Sequence, residues 1–442
     1  CTTAMQNKFL FFFLLSVCSC FAQSFSTSPI SYYGIGERSN QSQAIYSAIG
    51  YAGLAHFDST QLNLDNPASY SFLSQGNTLF ALGMKGKTTR FADQEASIIR
   101  TQFLLDQYAL GFKLNKKVGS VFALRPYANR GYQITDNNFT GIDSIRYTYL
   151  GRGGMSEILI GFGYRPLNKK VWKLSFGANI GYAFGVTEKI RRAQLMPSIS
   201  DYPAGEQNTL MRLNKLNVYT SALLQITPSN YQQIVLSGAY EPASFATKLT
   251  TVSSLSSVSL GLNGRPVYDV LQADSTDNTY NSKSLTLGIS YTIFLPKWRI
   301  QTRELHPSLK MLVSYRSNSS FISGVDSSYQ QGWSAGIQFN PEKELFENLS
   351  VLKFGEKLSY RLGVFTAENT FSDQKIADFG TTFGIGIPIL IQQSLSSVNL
   401  SFQLGKRSNE SGSLEETYGG MQVGLVFCPS SFDRWFRKRK LD

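Results

Sequence analysis

His56 and His306 are the only histidines in this 442-residue chain, and histidine is the side chain that titrates near neutral pH without help from its surroundings. His56 stands two residues before Asp58, and His306 stands directly before Pro307. Nucleophilic hydrolysis would need a serine, a histidine and an orienting Asn or Asp converging on one wall. Neither histidine lies in a strand-like stretch, and two are too few for a histidine-based metal site. Gly34-x-Gly36, Gly161-x-Gly163 and Gly384-x-Gly386 are not phosphate loops, because none opens a helix with a following Gly or Lys-Ser/Thr. Glycine at every second position serves a close-packed inner wall instead. The chemistry-bearing residues predict no enzyme, cofactor or metal.

The elements that carry these residues are strands. In Val171–Gly185, Trp172, Leu174, Phe176, Ala178, Ile180, Tyr182 and Phe184 fall on one face, while Lys173, Ser175, Gly177, Asn179, Gly181, Ala183 and Gly185 fall on the other. The stretches 285–293, 333–339 and 395–405 alternate in the same way. Side chains on a strand alternate faces, so each segment has an apolar wall and a small, polar wall. The polar wall is mainly Gly, Ser, Thr and Asn, with few charges for a surface facing water. Mean hydropathy is −0.14 and 42% of residues are apolar, which argues against membrane-spanning helices. The 23 Tyr and 31 Phe suit aromatic girdles at two membrane interfaces. The expected fold is all-β: a transmembrane antiparallel β-barrel of about 14 strands.

Strands are expected near 77–87, 105–116, 118–128, 154–166, 171–187, 212–227, 231–250, 283–294, 308–317, 330–340, 358–368, 380–391, 395–407 and 417–428. Ser97–Phe103 could also belong to the second. The gaps 88–104, 129–153, 188–211 and 251–282 are long and polar, and those between them are mostly short, as outer-membrane barrels alternate extracellular loops with periplasmic turns. An even count puts both termini in the periplasm. Two turns, 295–307 and 341–357, are longer than that rule expects and leave counts from twelve to sixteen open.

Lys8 followed by Phe9–Val17 and Cys20-Phe21-Ala22 reads as a secretory signal peptide over residues 1–22, with Met5 as the expected start. Lipidation of Cys18 or Cys20 is the rival reading. Cleavage after Ala22 leaves Cys428 as the single cysteine, so no disulfide framework is expected. The net charge of +12 does not imply nucleic acid; an exported barrel meets outer-membrane lipid and lipopolysaccharide, whose anionic groups favour basic residues.

Residues 23–76 lack sustained period two and are expected to form an N-terminal hatch or plug against the barrel at 77–428. They carry Ala48-x-Gly50-x-Ala52-Gly53-Leu54-Ala55, then Asp58, then Asn66-Pro67-Ala68. This resembles the N-terminal hatch of the FadL-type outer-membrane barrels, in a form similar to exported barrels of Bacteroidota type; the further markers are Ser31–Glu37, Asn66–Tyr70 and the ending at 433–440. The resemblance implies fourteen strands and passage of hydrophobic, fatty-acid-like molecules, which leave the lumen sideways beside the hatch. Within the same superfamily, some barrels resemble accessory subunits that close or flank a type IX secretion translocon, and this is the alternative role. Asp58, Asn66, Pro67, Ala68, Lys173 and Arg361 are the candidate hatch or ligand-path residues. Lys173 and Arg361 fall on inward faces, where internal salt bridging is the competing role. Asn66 before Pro67 favours a turn, which could serve structure alone.

After the last strand comes a basic, aromatic tail at 429–442, with Arg434, Trp435, Phe436, Arg437, Lys438, Arg439 and Lys440. The uptake family lacks such a tail. It could hold anionic headgroups or dock a periplasmic partner.

Overall fold

A computed structural model describes residues 28–428, except 40–42, 75–77, 93–96, 140–142, 197–203, 244–245, 261–265, 301–302, 324–325, 343–351, 372–373, 392–393 and 410–414. The signal-peptide region at 1–22 and the tail at 429–442 lie outside the described residues.

The described residues form twenty strands. The first, β1, is the two-residue Glu37–Arg38. The wall begins with β2 (Thr78–Ala92), β3 (Ser97–Lys113), β4 (Val118–Asn129) and β5 (Tyr132–Phe139). It continues with β6 (Ser144–Asn168), β7 (Trp172–Met196), β8 (Ala204–Ser229), β9 (Gln232–Glu241), β10 (Ala246–Leu260), β11 (Pro266–Asn278) and β12 (Tyr280–Phe294). A small hairpin, β13 (Trp298–Ile300) and β14 (Arg303–Leu305), stands apart. The last six are β15 (Ser308–Ile322), β16 (Asp326–Asn340), β17 (Ser359–Phe371), β18 (Gln374–Ile391), β19 (Ser394–Asn409) and β20 (Glu415–Phe427).

Antiparallel pairing runs from β2 through β3, β4, β6, β7, β8, β9, β12 and β15 to β20, and β20 pairs back onto β2 (Phe80↔Phe427 to Ala92↔Glu415). The ring therefore closes with fourteen members. β5 continues the line of β4 along β6, and β10 and β11 continue β9 and β12. Closure gives every member of the ring a partner on both sides over at least part of its length, which meets its backbone donors there inside the bilayer.

Each barrel strand follows its alternation. Phe162, Phe176, Ile180, Leu287 and Ile337 are exposed on the outer face, while Ser175, Asn179, Ser221 and Ser290 are buried on the inner one. Water would penalise so continuous an apolar exterior, and lipid does not. The molecule is an outer-membrane β-barrel.

All fourteen expected strands are present, but the expected long loops are not loops for most of their length. β6, β7 and β8 run for 25, 25 and 26 residues, well past the roughly 9–11 that cross a bilayer. Ser97–Phe103 does belong to β3. The expected extent 129–153 holds β5 and the start of β6, and 251–282 holds much of β10 and β11. The long turn 295–307 contains the β13–β14 hairpin. Gly34 and Gly36 are not wall glycines: they sit in the N-terminal segment with φ of +53° and +111°.

The described part of residues 28–74 packs against the inner wall. Short helical turns at Pro29–Tyr32, Ala44–Ser47, Gly53–Ala55 and Pro67–Phe72 are almost wholly buried. Lys113 Nζ donates to the carbonyls of Ser71 and Leu73, both at 2.9 Å. Ser175 Oγ donates to the carbonyl of Ala68 at 2.6 Å, and Ser290 Oγ to that of Ala55 at 3.0 Å. The wall's hydroxyls thus satisfy backbone groups that an irregular buried segment cannot pair by itself.

Candidate functional site

The wall is not paired evenly. β3 and β4 pair only from Tyr108↔Leu124 to Lys113↔Gly119. Beyond that point β3 stays on β2 as far as Ser97, while β4 stays on β6. Both strands carry a bulge where they part: Asp106 is the extra residue of β3 against Gly83 and Met84, and Tyr127 is the extra residue of β4 against Ser156 and Met155. Pro126, next to the second bulge, has no N–H to give a neighbour. Bulges bend and overtwist a strand, so two at one level turn β3 and β4 away from each other.

The edge of β4 left bare is taken by the N-terminal segment. Glu37 and Arg38 of β1 align with Asn129 and Ala128, and the Ser39 N–H donates to the Tyr127 carbonyl at 3.1 Å. Gly36 permits this approach: a Cβ there would lie 2.6 Å from the Asn129 carbonyl oxygen.

The same three residues are tied across the lumen. Glu37 pairs with Arg407 at 2.7 Å, and Arg407 also pairs with Asp378 at 2.8 Å. Arg38 lies 3.6 Å from Glu241 and over the Tyr127 ring. Ser39 Oγ accepts from Lys85 at 3.0 Å, and Lys85 pairs with Asp106 at 2.9 Å. This strut lines a cavity of about 310 Å³, together with Leu104, Arg125, Tyr219, Phe365 and Tyr418 among others. Its lining mixes aromatic rings with paired charges. Behind it, Glu157 is fully buried and accepts from Arg125 Nε, Asn217 Nδ2 and Tyr219 OH, each at 2.8 Å. Lys215, also fully buried, reaches Tyr127 OH at 3.0 Å and Glu241 at 3.2 Å. Buried charges persist only when paired this completely.

Nearer the end with the short turns, His56 sits between two strands. Gln338 Oε1 lies 3.0 Å from His56 Nε2 and accepts from Arg361 Nε at 3.2 Å. Lys310 Nζ lies 3.3 Å from Nδ1. An ammonium can only donate, so Nδ1 accepts and the ring is neutral with its proton on Nε2. Burial, and then the charges of Lys310 and Arg361, hold the imidazole well below its usual range. Its docking is therefore at full strength above about pH 6.5, the ordinary histidine value. Below it, the undocked ring takes a proton that the docked ring refuses, at roughly 1.4 kcal/mol per pH unit. Protection of the amides at residues 44–73, taken relative to the intrinsic exchange rate at each pH, is expected to fall from pH 7.5 to 5.5, and a His56→Gln variant should flatten that dependence.

The sequence-derived candidates fall away from the cavity. Asp58 is exposed and caps its own turn, accepting from the Thr60 N–H and Oγ1, both at 3.0 Å. Asn66 is fully buried and donates to the Leu54 carbonyl and Ser237 Oγ, both at 2.8 Å. Pro67 opens a helical turn, and the Ala68 N–H donates to Ser221 Oγ at 2.8 Å. Lys173 is half-buried beside the short turn, in register with Asn168 and Gln225. Arg361 is buried on the inner face, bound to Gln338 and to Asn399 at 3.0 Å. None of the six lines the cavity. The tail residues Arg434, Trp435, Phe436, Arg437, Lys438, Arg439 and Lys440 lie outside the described residues. Sequence reasoning missed Glu37, Arg38, Arg125, Glu157, Lys215, Glu241, Asp378 and Arg407. The signal was there: most are charges at inward positions of strands, and a charge in a spanning strand marks function or an internal network.

A family model described as BamG matches residues 5–442. No curated protein matches. Among solved structures the chain is similar to a FadL homologue from Pseudomonas aeruginosa, with a TM-score of 0.51, 11% identity, and coverage of 88% of this chain and 98% of that one. It is also similar to the toluene transporter TbuX of Ralstonia pickettii, with a TM-score of 0.51, 11% identity, and coverage of 87% and 98%. At such identity the likeness is one of fold.

Proposed function

We propose, for a chain that belongs to the BamG family, the passage of hydrophobic small molecules across the outer membrane, with residues 23–76 as a hatch and both termini in the periplasm. The parting of β3 from β4 carries this reading, because there, among the described residues, the edge of a barrel strand is paired by the N-terminal segment and not by its neighbour in the ring. A ligand held in the cavity beside Leu104 and Phe365 would leave through that interval once β1 withdrew. The fold shared with a toluene transporter is consistent with such a route. Fatty-acid-like molecules are the expected cargo. Asn66, Pro67 and Ala68 then seat the hatch, and Arg361 holds it through Gln338.

A second reading has its own support. The cavity is lined by charges as well as rings, and a lining of charges tied by ion pairs such as Lys85–Asp106 and Arg407–Asp378 suits a rigid support better than a greasy path. In that reading the barrel is an accessory subunit of a type IX-like secretion apparatus, with the tail from Arg434 to Lys440 as its periplasmic contact.

Purification from outer membranes in mild detergent, with lipid mass spectrometry of an organic extract and native mass analysis of the intact material, separates the two. A stoichiometric hydrophobe on a free barrel is the expected result. An empty barrel held in a much larger complex would replace the first reading with the second.

A further inference from the structure

The barrel does not end at one height. On one side, β15 and β16 turn over at Ile322 and Asp326, and β17 and β18 at Phe371 and Gln374. On the other, β5, β6, β7, β8, β10 and β11 rise past this level as one hydrogen-bonded sheet. A sheet that does not close has two edges, and one of them is β11. Among the described residues β11 pairs only with β10, from Leu249↔Asn278 to Leu260↔Pro266. β15, the next strand of the ring, stops at Tyr280↔Ile322.

Natural edge strands are guarded by brevity, lysine, interior proline or cover. β11 is 13 residues long and contains no Lys or Arg, and its proline is its first residue. It has one bulge, at Leu271. Val267, Tyr268, Val270 and Leu271 are all exposed, the last two at 63% and 67%. Asp269, Asp274 and Asp277 make the strand acidic within a chain of net charge +12, and among the described residues only Asp277 of the three has an ion pair, with Lys248 at 3.1 Å.

We propose that the free edge of β11 is a docking site for an extended segment of another protein, in which apolar residues alternate with Lys or Arg. Strand addition would satisfy the open backbone groups, and alternate pockets would read the side chains. The acidic side chains select the partner's charge. They also oppose a second copy of this chain: self-pairing about a centre between Leu271 and Gln272 sets Asp269 against Asp274, and like charges across a ladder repel.

The test is photo-cross-linking in the cells that make the protein, with benzoylphenylalanine in place of Tyr268 or Leu271, followed by sequencing of the joined peptide. A joined segment of alternating apolar and basic residues is expected, and it should fall at least tenfold in yield when Asp269→Lys and Asp274→Lys are added. In the purified full-length barrel, a synthetic (Lys-Val)5 peptide should slow amide exchange at 266–278, and a (Glu-Val)5 peptide should not. Cross-links only to lipid, to a second copy of this chain or to an acidic segment would overturn the proposal. Unchanged yield in the lysine variant, with the barrel still folded by heat-modifiable gel shift, would do so too.

Discussion

Cysteines at positions 38 and 128, joined under oxidising conditions in a Cys428→Ser background, should slow release of a bound hydrophobic fluorophore into surrounding lipid by at least tenfold, and a reductant should restore it. Arg38 and Ala128 are direct partners across the β1–β4 ladder, where antiparallel Cα atoms lie about 4.5–5.5 Å apart, within disulfide reach. Unlocked, β1 is held on β4 by two register pairs and the Ser39 N–H, together with side-chain ties from Glu37 and Arg38. Such a short strand opens by local unfolding well below the cost of global unfolding. A covalent bond removes that opening. Loss of the Arg38–Glu241 contact is common to both redox states, so the comparison isolates the lock. Equal release from the oxidised and reduced forms would show that cargo does not leave between β3 and β4.

The second large effect is expected from the inner wall. Gly177→Leu should turn a silent barrel into a conducting one in planar bilayers, raising single-channel conductance at least tenfold, with heat modifiability retained. A Cβ at Gly177 would lie 2.2 Å from the Pro67 carbonyl carbon and 2.3 Å from the Ala68 nitrogen. These are backbone atoms and cannot swing aside as a rotamer would. Overpacking alone costs about 1–3 kcal/mol, and a backbone collision belongs at or above the top of that range. The turn at Pro67–Phe72 would give way before the wall, because the Gly163↔Gly177 and Gly177↔Ser221 pairs belong to ladders more than twenty residues long. A fourteen-stranded lumen without its filling is wide enough to pass ions. Unchanged conductance despite faster proteolysis at residues 53–74 would show that the segment does not block the pore.

Alternation in the sequence was enough to specify the barrel. Period two in 171–185 or 395–405 reflects a wall with lipid on one side and packed small residues on the other, and that contrast is local to each strand. Where the contrast fades, so does the signal. The upper parts of β6 and β11 have half-exposed or exposed side chains on both faces, so 251–282 and 129–153 read as loops although their backbones stay paired. The Asn66-Pro67-Ala68 turn was also legible, since proline restricts the residue before it. Its seat on Ser221 and Ser237 was not. The N-terminal segment has no period, because it packs against many strands at once, and its position depends on hydroxyls and glycines scattered along the chain. The strut across the lumen joins Glu37 to Arg407 and Arg38 to Glu241. The parting of β3 from β4 follows from bulges at Asp106 and Tyr127 that exist only relative to their partners. A residue's own type fixes which face it prefers; which distant charge it meets, and where two strands separate, is fixed only when the ring closes.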